Sequence, residues 1–448
     1  MHIQAQTTYP PGPKLPFPWQ LIGRPFADLP DTLLNLAAQY GDIVHFMLGR
    51  QHIYLLNHPD FIQEVLITQQ RNFTKGRVLQ NSRQLLGNGL LTAEGEAHIQ
   101  QRRMMQPIFH REQISKYIPH ITQLAQEMSL RWQANQPLDL SAEMTRLTMN
   151  IIAQALFGTS IDAQAPALSH AIQVLLTRFN QLITPNAVLR RFHAGRNKRE
   201  IQQAHAHLTA FIETAIAGYK NGAGQADMLS QLVHATDGQG CPLEQQQIQD
   251  HVMTFFLAGH ETIASALSWT FYLLAQYPQI AEKLSAELDS VLAGCSPSAE
   301  TYTQLDYTKM ALTEGMRLFP PAWIMGRQAQ QPITLGGYPI PQGATVLLSQ
   351  WVTHHDPRFY PNPDLFKPER WLPAARAVRP KMAYFPFGGG QRLCIGEHFA
   401  WMVGVLTIAT VMQTWRFKPI PGRRMTTQFT VTLRSPNGFY VSPVPIKL

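Results

Sequence analysis

The stretch Phe387-Gly388-Gly389-Gly390-Gln391-Arg392-Leu393-Cys394-Ile395-Gly396 decides the reading of this 448-residue chain. Its three glycines make a loop in which backbone can approach another group closely. A cysteine follows, and Ile395 to Trp415 then reads as a long apolar helix with Glu397 and His398 at its start. A sulfur at a helix start faces unpaired N–H groups and the positive end of the dipole, and both favour thiolate over thiol. A thiolate is a strong, soft ligand for iron, and the same N–H groups temper its electron donation. Arg392, two residues before the sulfur, can reach a carboxylate on the same cofactor. By residue type alone, a buried structural cysteine is the commoner case.

Upstream, Val252 to Ala275 is mostly apolar, with Glu261 its only formally charged residue. Its length permits a membrane span, but an acid in mid-membrane is costly, and a helix apolar all round also serves as the buried axis of a large protein. We expect the buried axis. Within it lies Ala258-Gly259-His260-Glu261-Thr262. Gly259 costs about 1 kcal/mol relative to alanine in a helix interior, which suggests close approach by another molecule. Ala258 and Thr262 share a face at i, i+4, leaving room for a diatomic ligand beside a hydroxyl. Thr262 can instead bond back to the carbonyl at i−4, and Glu261 can be a plain buried acid.

The decamer matches the haem-binding signature Phe-x-x-Gly-x-Arg-x-Cys-x-Gly of the cytochrome P-450 family at every fixed position, and the resemblance extends over nearly the whole chain. It implies a mainly α fold with a minor β portion and a haem b held between a long central helix and the cysteine loop, with Cys394 as the axial ligand. Phe387, Arg392 and Gly396 belong to the same signature. Ala258-Gly259-His260-Glu261-Thr262 resembles the family's oxygen-binding segment. By that match Ala258 and Gly259 contact the cofactor, Thr262 stabilises the bound oxygen ligand and Glu261 helps deliver protons. Many members have a second Thr or Ser next, where this chain has Ile263. Gly95-Glu-Ala-His98-Ile-Gln-Gln-Arg102 resembles the family's propionate-binding helix, with His98 in place of the commoner tryptophan, and Arg327 occupies the position of a further propionate-binding arginine. Glu314-Gly-Met-Arg317 and Phe366-Lys-Pro-Glu-Arg370 resemble segments whose Glu and two Arg form a buried structural triad. An apolar substrate pocket is expected from Leu90, Leu91, Ala258, Ala322, Ile324 and Val431, and Arg50 with Tyr54 resembles a mouth pair that holds a carboxylate in some members.

The expected activity is insertion of one oxygen atom from O2 into a hydrophobic small molecule such as a fatty acid, terpenoid or steroid. Alternatives are a non-catalytic haem-thiolate sensor or carrier, and a peroxide-driven family member. The chain has no flavin or iron–sulfur segment, so electrons are expected from a separate ferredoxin or flavodoxin. Charged residues are only 15% and apolar ones 45%, which suits one large core, and we expect a single domain over residues 1–448. The net charge of +8 fits an acidic redox partner; Lys and Arg are scattered, densest in Arg190 to Arg199, and no nucleic-acid motif accompanies them. Cys241, Cys295 and Cys394 are too few and too far apart for a disulfide framework or a zinc site. That count, with no secretory signal and no membrane anchor, points to the cytoplasm. The prolines at 10, 11, 13, 16 and 18 predict an extended arm over residues 1–20. Strands are expected at Ile43 to Leu48 and His52 to Asn57, at Ile333 to Pro341 and Thr345 to Ser349, and in a terminal hairpin, Phe429 to Leu433 with Phe439 to Val441, closed by Asn437-Gly438.

Overall fold

A computed structural model describes residues 9–14, 29–76, 79–80, 82–158, 165–183, 198–220, 227–236, 240–423 and 425–446. Most of the proline-rich arm and residues 190–197 of the basic run lie outside the described residues. The chain forms two compact units: Met1–Gln80 with Arg317–Leu365 and Pro373–Cys394, and Asn81–Met316 with Phe366–Leu372 and Ile395–Leu448.

The first unit is built on a five-stranded sheet, in the order Ile43–Leu48, Gln51–Leu56, Thr345–Leu348, Met325–Ala329, Phe73–Lys75. The first pair is an antiparallel hairpin with Leu48 opposite Gln51. The two-residue loop has Gly49 at φ +61°, and a positive φ at its first position is what a type II′ hairpin turn demands. Gln51–Leu56 then runs parallel to Thr345–Leu348, Leu56 opposite Leu348. Ile43, Tyr54, Leu56, Val346 and Leu348 point into one core with Ile62, Leu66 and Phe385. Met325–Ala329 and Phe73–Lys75 are strands that the sequence reading missed. Ile333–Leu335 and Tyr338–Ile340 form a separate small hairpin rather than one strand. In the described part of the arm, the carbonyl of Pro11 accepts the N–H of His45 at 3.0 Å, so residues 9–14 lie along the edge strand.

The second unit is helical. Its axis is Gln245–Gln276, 32 residues, which packs chiefly against Leu140–Phe157. The helix starts at a reciprocal cap: the Glu244 side chain accepts an N–H of the first turn, and the Gln247 side chain accepts the Glu244 N–H at 2.9 Å. Pro278 opens the next helix, Pro278–Leu292, and so limits this one. As expected for a buried axis, residues on all sides of the helix are covered, Trp269, Phe271 and Leu267 completely. No helix among the described residues is long and apolar enough to cross a membrane.

The terminal hairpin is a correction. Leu433–Arg434 pairs with Gln428–Phe429, whereas Tyr440–Pro445 pairs with Leu138–Asp139 and Trp415–Pro419. A turn does form at Ser435–Gly438, with Gly438 at φ +73°, but its two flanks enter different sheets. The cause is side-chain anchoring: Asp139 Oδ1 accepts the Phe439 N–H at 3.0 Å, and the Leu140 N–H donates to the Phe439 carbonyl at 2.9 Å.

Candidate active site

The cysteine loop belongs to the first unit and is held by its own backbone. The Cys394 N–H donates to the Phe387 carbonyl at 3.0 Å, Leu393 N–H to Gly390 at 3.1 Å and Gly388 N–H to Phe385 at 3.0 Å. Two of the glycines are required for definite reasons. Gly388 and Gly390 have φ of +76° and +65°, a region that L side chains rarely adopt. A Cβ on Gly390 would also stand 1.9 Å from the Leu66 carbonyl oxygen and 2.4 Å from Gln70 Oε1. The Gln70 side chain is there because its Oε1 accepts the Gln391 N–H at 2.7 Å. The loop thus leaves Cys394 exposed, with Phe387 and Arg392 half-buried beside it. The expected helix start is displaced: the helix runs over Glu397–Met412 with Gly396 as its N-cap, so Cys394 precedes the cap by two residues.

The same unit carries Arg327, Arg317, Ala322 and Ile324. Arg327 is buried on Met325–Ala329, opposite Lys75 and Val346 on the flanking strands. Ala322 and Ile324 are half-buried. Arg317 is completely buried; Nη1 donates to the His354 carbonyl at 2.8 Å and Nη2 to Pro363 at 2.7 Å, while its guanidinium lies 5.0 Å from the Tyr360 ring centre. Tyr54 corrects the mouth-pair expectation. It is fully buried in the sheet core, and burial raises its phenol far above the ordinary range, while Arg50 is exposed in the hairpin turn. Tyr54 therefore follows the plain-strand reading.

The second unit holds the oxygen-binding segment. Midway along the axis helix, Ala258 is exposed and Gly259 and Thr262 are half-exposed, so a small-residue, hydroxyl-bearing stripe is open. Thr262 Oγ1 donates to the Ala258 carbonyl at 2.9 Å, the back-bonded arrangement, which leaves its oxygen as an acceptor. The close approach expected at Gly259 is made by a neighbouring helix: a Cβ there would meet Ile152 Cδ1 at 3.0 Å. Glu261 is buried and paired. Its Oε1 accepts Arg434 Nε at 2.8 Å and the Thr432 hydroxyl, and the second guanidinium nitrogen completes an ion pair. His260 is fully buried, and desolvation lowers its pKa, so the ring is neutral. Arg434 and Thr432 were missed because nothing local flags them: they lie 173 and 171 residues from Glu261.

His98 is buried and Arg102 half-buried, one turn apart on the helix Gly95–Met105. Glu314 and Arg370, both buried, pair at 3.2 Å, and Glu314 also accepts the Trp371 indole N–H at 2.9 Å and the Lys367 N–H at 3.2 Å. The indole was not foreseen, although Trp371 adjoins Arg370. Leu90 is buried and its N–H donates to His251 Nδ1 at 3.3 Å; Leu91 and Val431 are half-buried, as is Gly396.

The donor set suits a porphyrin. Among the described residues no three His, Cys, Asp or Glu side chains converge as a metal site. A metal ion bound to the exposed Cys394 thiol must therefore bring most of its ligands with it, as haem iron does.

Comparison with known proteins agrees. A family model described as cytochrome P450 matches residues 10–448. Cyclooctatin synthase of Streptomyces melanosporofaciens is 38% identical over 391 residues, 86% of this chain and 85% of that protein. Cyclooctat-9-en-7-ol 5-monooxygenase of the same organism is 35% identical over 389 residues, covering 86% and 84%. Pentalenene oxygenase of Streptomyces avermitilis is 31% identical over 402 residues, covering 89% and 88%. With a family model matched from the arm to the last residue, and relatives aligned along most of their own length, the chain belongs to the cytochrome P450 family, and with it to the haem b monooxygenases.

Proposed function

We propose that this chain is a terpenoid monooxygenase: one domain over residues 1–448 that inserts an oxygen atom from O2 into a hydrophobic, terpenoid-like molecule. The observation that carries the reading is the loop geometry at Cys394, an exposed thiol on a backbone that tolerates only glycine at Gly390. The relatives narrow the substrate class, since their names specify an unsaturated alcohol, an alkene and cyclooctatin.

When bound through Cys394, haem b supplies oxygen activation and oxygen transfer, with the thiolate donating electron density. The protein's own residues bind, orient and protonate. Arg102, Arg327 and Arg392 supply the charge, and His98 a ring N–H, that would hold the haem carboxylates. Ala258 keeps the helix face low, Thr262 offers a hydroxyl oxygen already oriented by its donation to Ala258, and Glu261 holds a proton-exchanging carboxylate next in sequence. Leu90, Leu91, Ala322, Ile324 and Val431 exclude water from the substrate. Glu314, Arg317 and Arg370 support the fold around these groups. Electrons come from a separate ferredoxin or flavodoxin, attracted by the net charge of +8.

The test is a titration of the purified holoprotein with terpenoid hydrocarbons and alcohols alongside fatty acids and steroids. Terpenoids are expected to give the high-spin Soret shift and, with oxygen, a ferredoxin and its reductase, a hydroxylated or epoxidised product. A shift and product with fatty acids alone would overturn the substrate class. Product from peroxide alone, indifferent to Thr262→Ala, would replace the oxygen-dependent reading with a peroxide-driven one.

A further inference from the structure

Two residues of the proposed substrate pocket, Leu90 and Leu91, sit on a loop that is fastened to the axis helix and not only strung between its own ends. Asp250 Oδ2 accepts the Asn88 N–H at 2.7 Å, and His251 Nδ1 accepts the Leu90 N–H at 3.3 Å. Neighbouring side chains of one helix thus hold alternate amides of the loop. Two glycines permit the approach. Gly87 has φ +67°, and a Cβ there would stand 2.2 Å from Asp250 Oδ1. A Cβ on Gly89 would stand 2.6 Å from the Asp250 carbonyl oxygen and 2.4 Å from Thr254 Oγ1, so the loop backbone lies directly on the helix. The loop is also tied to itself and to its flanks. The Thr92 hydroxyl donates to the Gly87 carbonyl at 2.6 Å, Arg83 Nη2 donates to the Thr92 carbonyl at 2.9 Å, and Gln101 Nε2 donates to the Asn88 carbonyl at 3.0 Å. The His251 ring suits this task. Burial holds its pKa at about 4, so it is neutral and Nδ1 is free to accept. Nε2 then carries the ring proton and meets no acceptor among the described residues. An apolar side chain would fill the same space without that cost, so packing alone does not account for a histidine here.

We infer that Asp250 and His251 are positioning residues that set the enzyme's regioselectivity, by fixing the Leu90–Leu91 wall against the helix that also carries the oxygen-binding stripe. His251 and Ala258 are seven residues apart, which is two turns, so they share a helix face about 10 Å apart along the axis. One rigid element therefore places both the wall and the face where oxygen is transferred. A terpenoid skeleton offers few polar groups by which to orient it, so the shape of the walls decides which carbon lies at that face. A wall displaced by an ångström admits a second orientation. The side chains of Leu90 and Leu91 supply the shape, and the two pinned amides keep it in place. The inference rests on the pocket assignment and substrate class proposed above.

The experiment compares the holoenzyme with its Asp250→Ala, Asp250→Asn and His251→Leu forms. Asp250 is half-buried and Asn88 exposed, so the alanine removes a pin without opening the core. Amide deuterium exchange of the peptide spanning Gly87 to Thr92 reads the clamp without reference to activity. Exchange at Asn88 is expected to quicken at least tenfold in Asp250→Ala, and exchange at Leu90 likewise in His251→Leu. Rates equal to the parent's overturn the clamp, whatever the substrate. Function is read as the ratio of oxygenated regioisomers. Both variants are expected to yield a mixture where the parent makes one main product, with KM raised at least fivefold and kcat within twofold. Asp250→Asn keeps an oxygen for the Asn88 N–H, and its amide group can exchange donor and acceptor roles with Gln246, which now donates to Asp250 Oδ1 at 3.0 Å. It is expected to restore the parent's product. Faster exchange with an unchanged product ratio makes the two residues a structural brace and refutes their hold on regioselectivity. A parent that leaves terpenoids untouched and oxidises fatty acids, with the product mixture appearing in the variants on those, overturns the terpenoid reading and upholds the clamp.

Discussion

The cysteine loop and the acid-bearing segment of the axis helix hold their chemical groups by opposite means. Around Cys394 most restraints are short, Cys394 to Phe387, Leu393 to Gly390 and two left-handed glycines within one decamer, with Gln70 on the Gln391 N–H as the distant one. Around Glu261 they are long, since its partners Thr432 and Arg434 are 171 and 173 residues away and sit on a two-stranded ribbon. A site made of backbone geometry leaves its mark in contiguous residues, because each unusual φ calls for a particular residue at a particular place. A site made of side-chain pairs can draw either partner from anywhere in the fold.

The largest break in this comparison comes at the loop's one irreplaceable atom. Cys394→Ala is expected to abolish product formation and the red-shifted absorption of the reduced, carbon-monoxide-treated protein, while circular dichroism stays helical. Retention of that absorption would remove the loop from the chemistry altogether.

Next is the long-range pairing of the second unit. Glu314→Ala leaves buried Arg370 without its carboxylate and Trp371 without its acceptor. About 3 to 5 kcal/mol of stability should be lost, measured by denaturant unfolding. A loss below 1 kcal/mol would mean that distant side-chain pairs matter less here than the comparison holds.

Two alanines then separate local from distant restraint inside the loop. Gly390→Ala meets both a positive φ and the Leu66 carbonyl, and is expected to cost about 3 kcal/mol and to lower haem content. Gly388→Ala meets only the φ, since its nearest neighbour is Met325 Cε at 3.6 Å, and is expected to cost about 1 kcal/mol. Equal costs would show that backbone conformation alone governs the loop.

The smallest effect is acid sensitivity in the second unit. Burial lowers the pKa of His251 to about 4, from an ordinary value near 6.5. Between those values the unfolded chain binds a proton that the folded one refuses, so stability is complete above pH 6.5 and is lost as pH falls toward 4. His251 accounts for about 1 kcal/mol of that loss at pH 5.5. His251→Asn keeps an acceptor for the Leu90 N–H, and its unfolding free energy should fall by that much less between pH 7.5 and 5.5. Parallel curves for the two proteins would place the acid sensitivity elsewhere.

Much of the fold was legible in the sequence. The first two strands were legible as short runs on either side of Gly49, and the axis helix as an apolar run too polar at Glu261 for a membrane. The strands Met325–Ala329 and Phe73–Lys75 were not, because each is short and gains its strand character only by pairing, Lys75 with Arg327 and Phe73 with Ala329. The terminal hairpin was misread for the same reason: the Asn437-Gly438 turn signal is local, but Asp139 decides where the chain goes after it.

The sequence alone determined the family signature, the axis helix, the first two strands and the identity of the thiol, because these follow from steric rules and periodicities acting over a few neighbouring residues. Only the tertiary structure decided that Tyr54 is core, that Glu261 faces an arginine and a cavity, and that Gly259 yields space to Ile152. Those outcomes depend on which distant surfaces meet, and burial and ion pairing are properties of the meeting rather than of either stretch of chain.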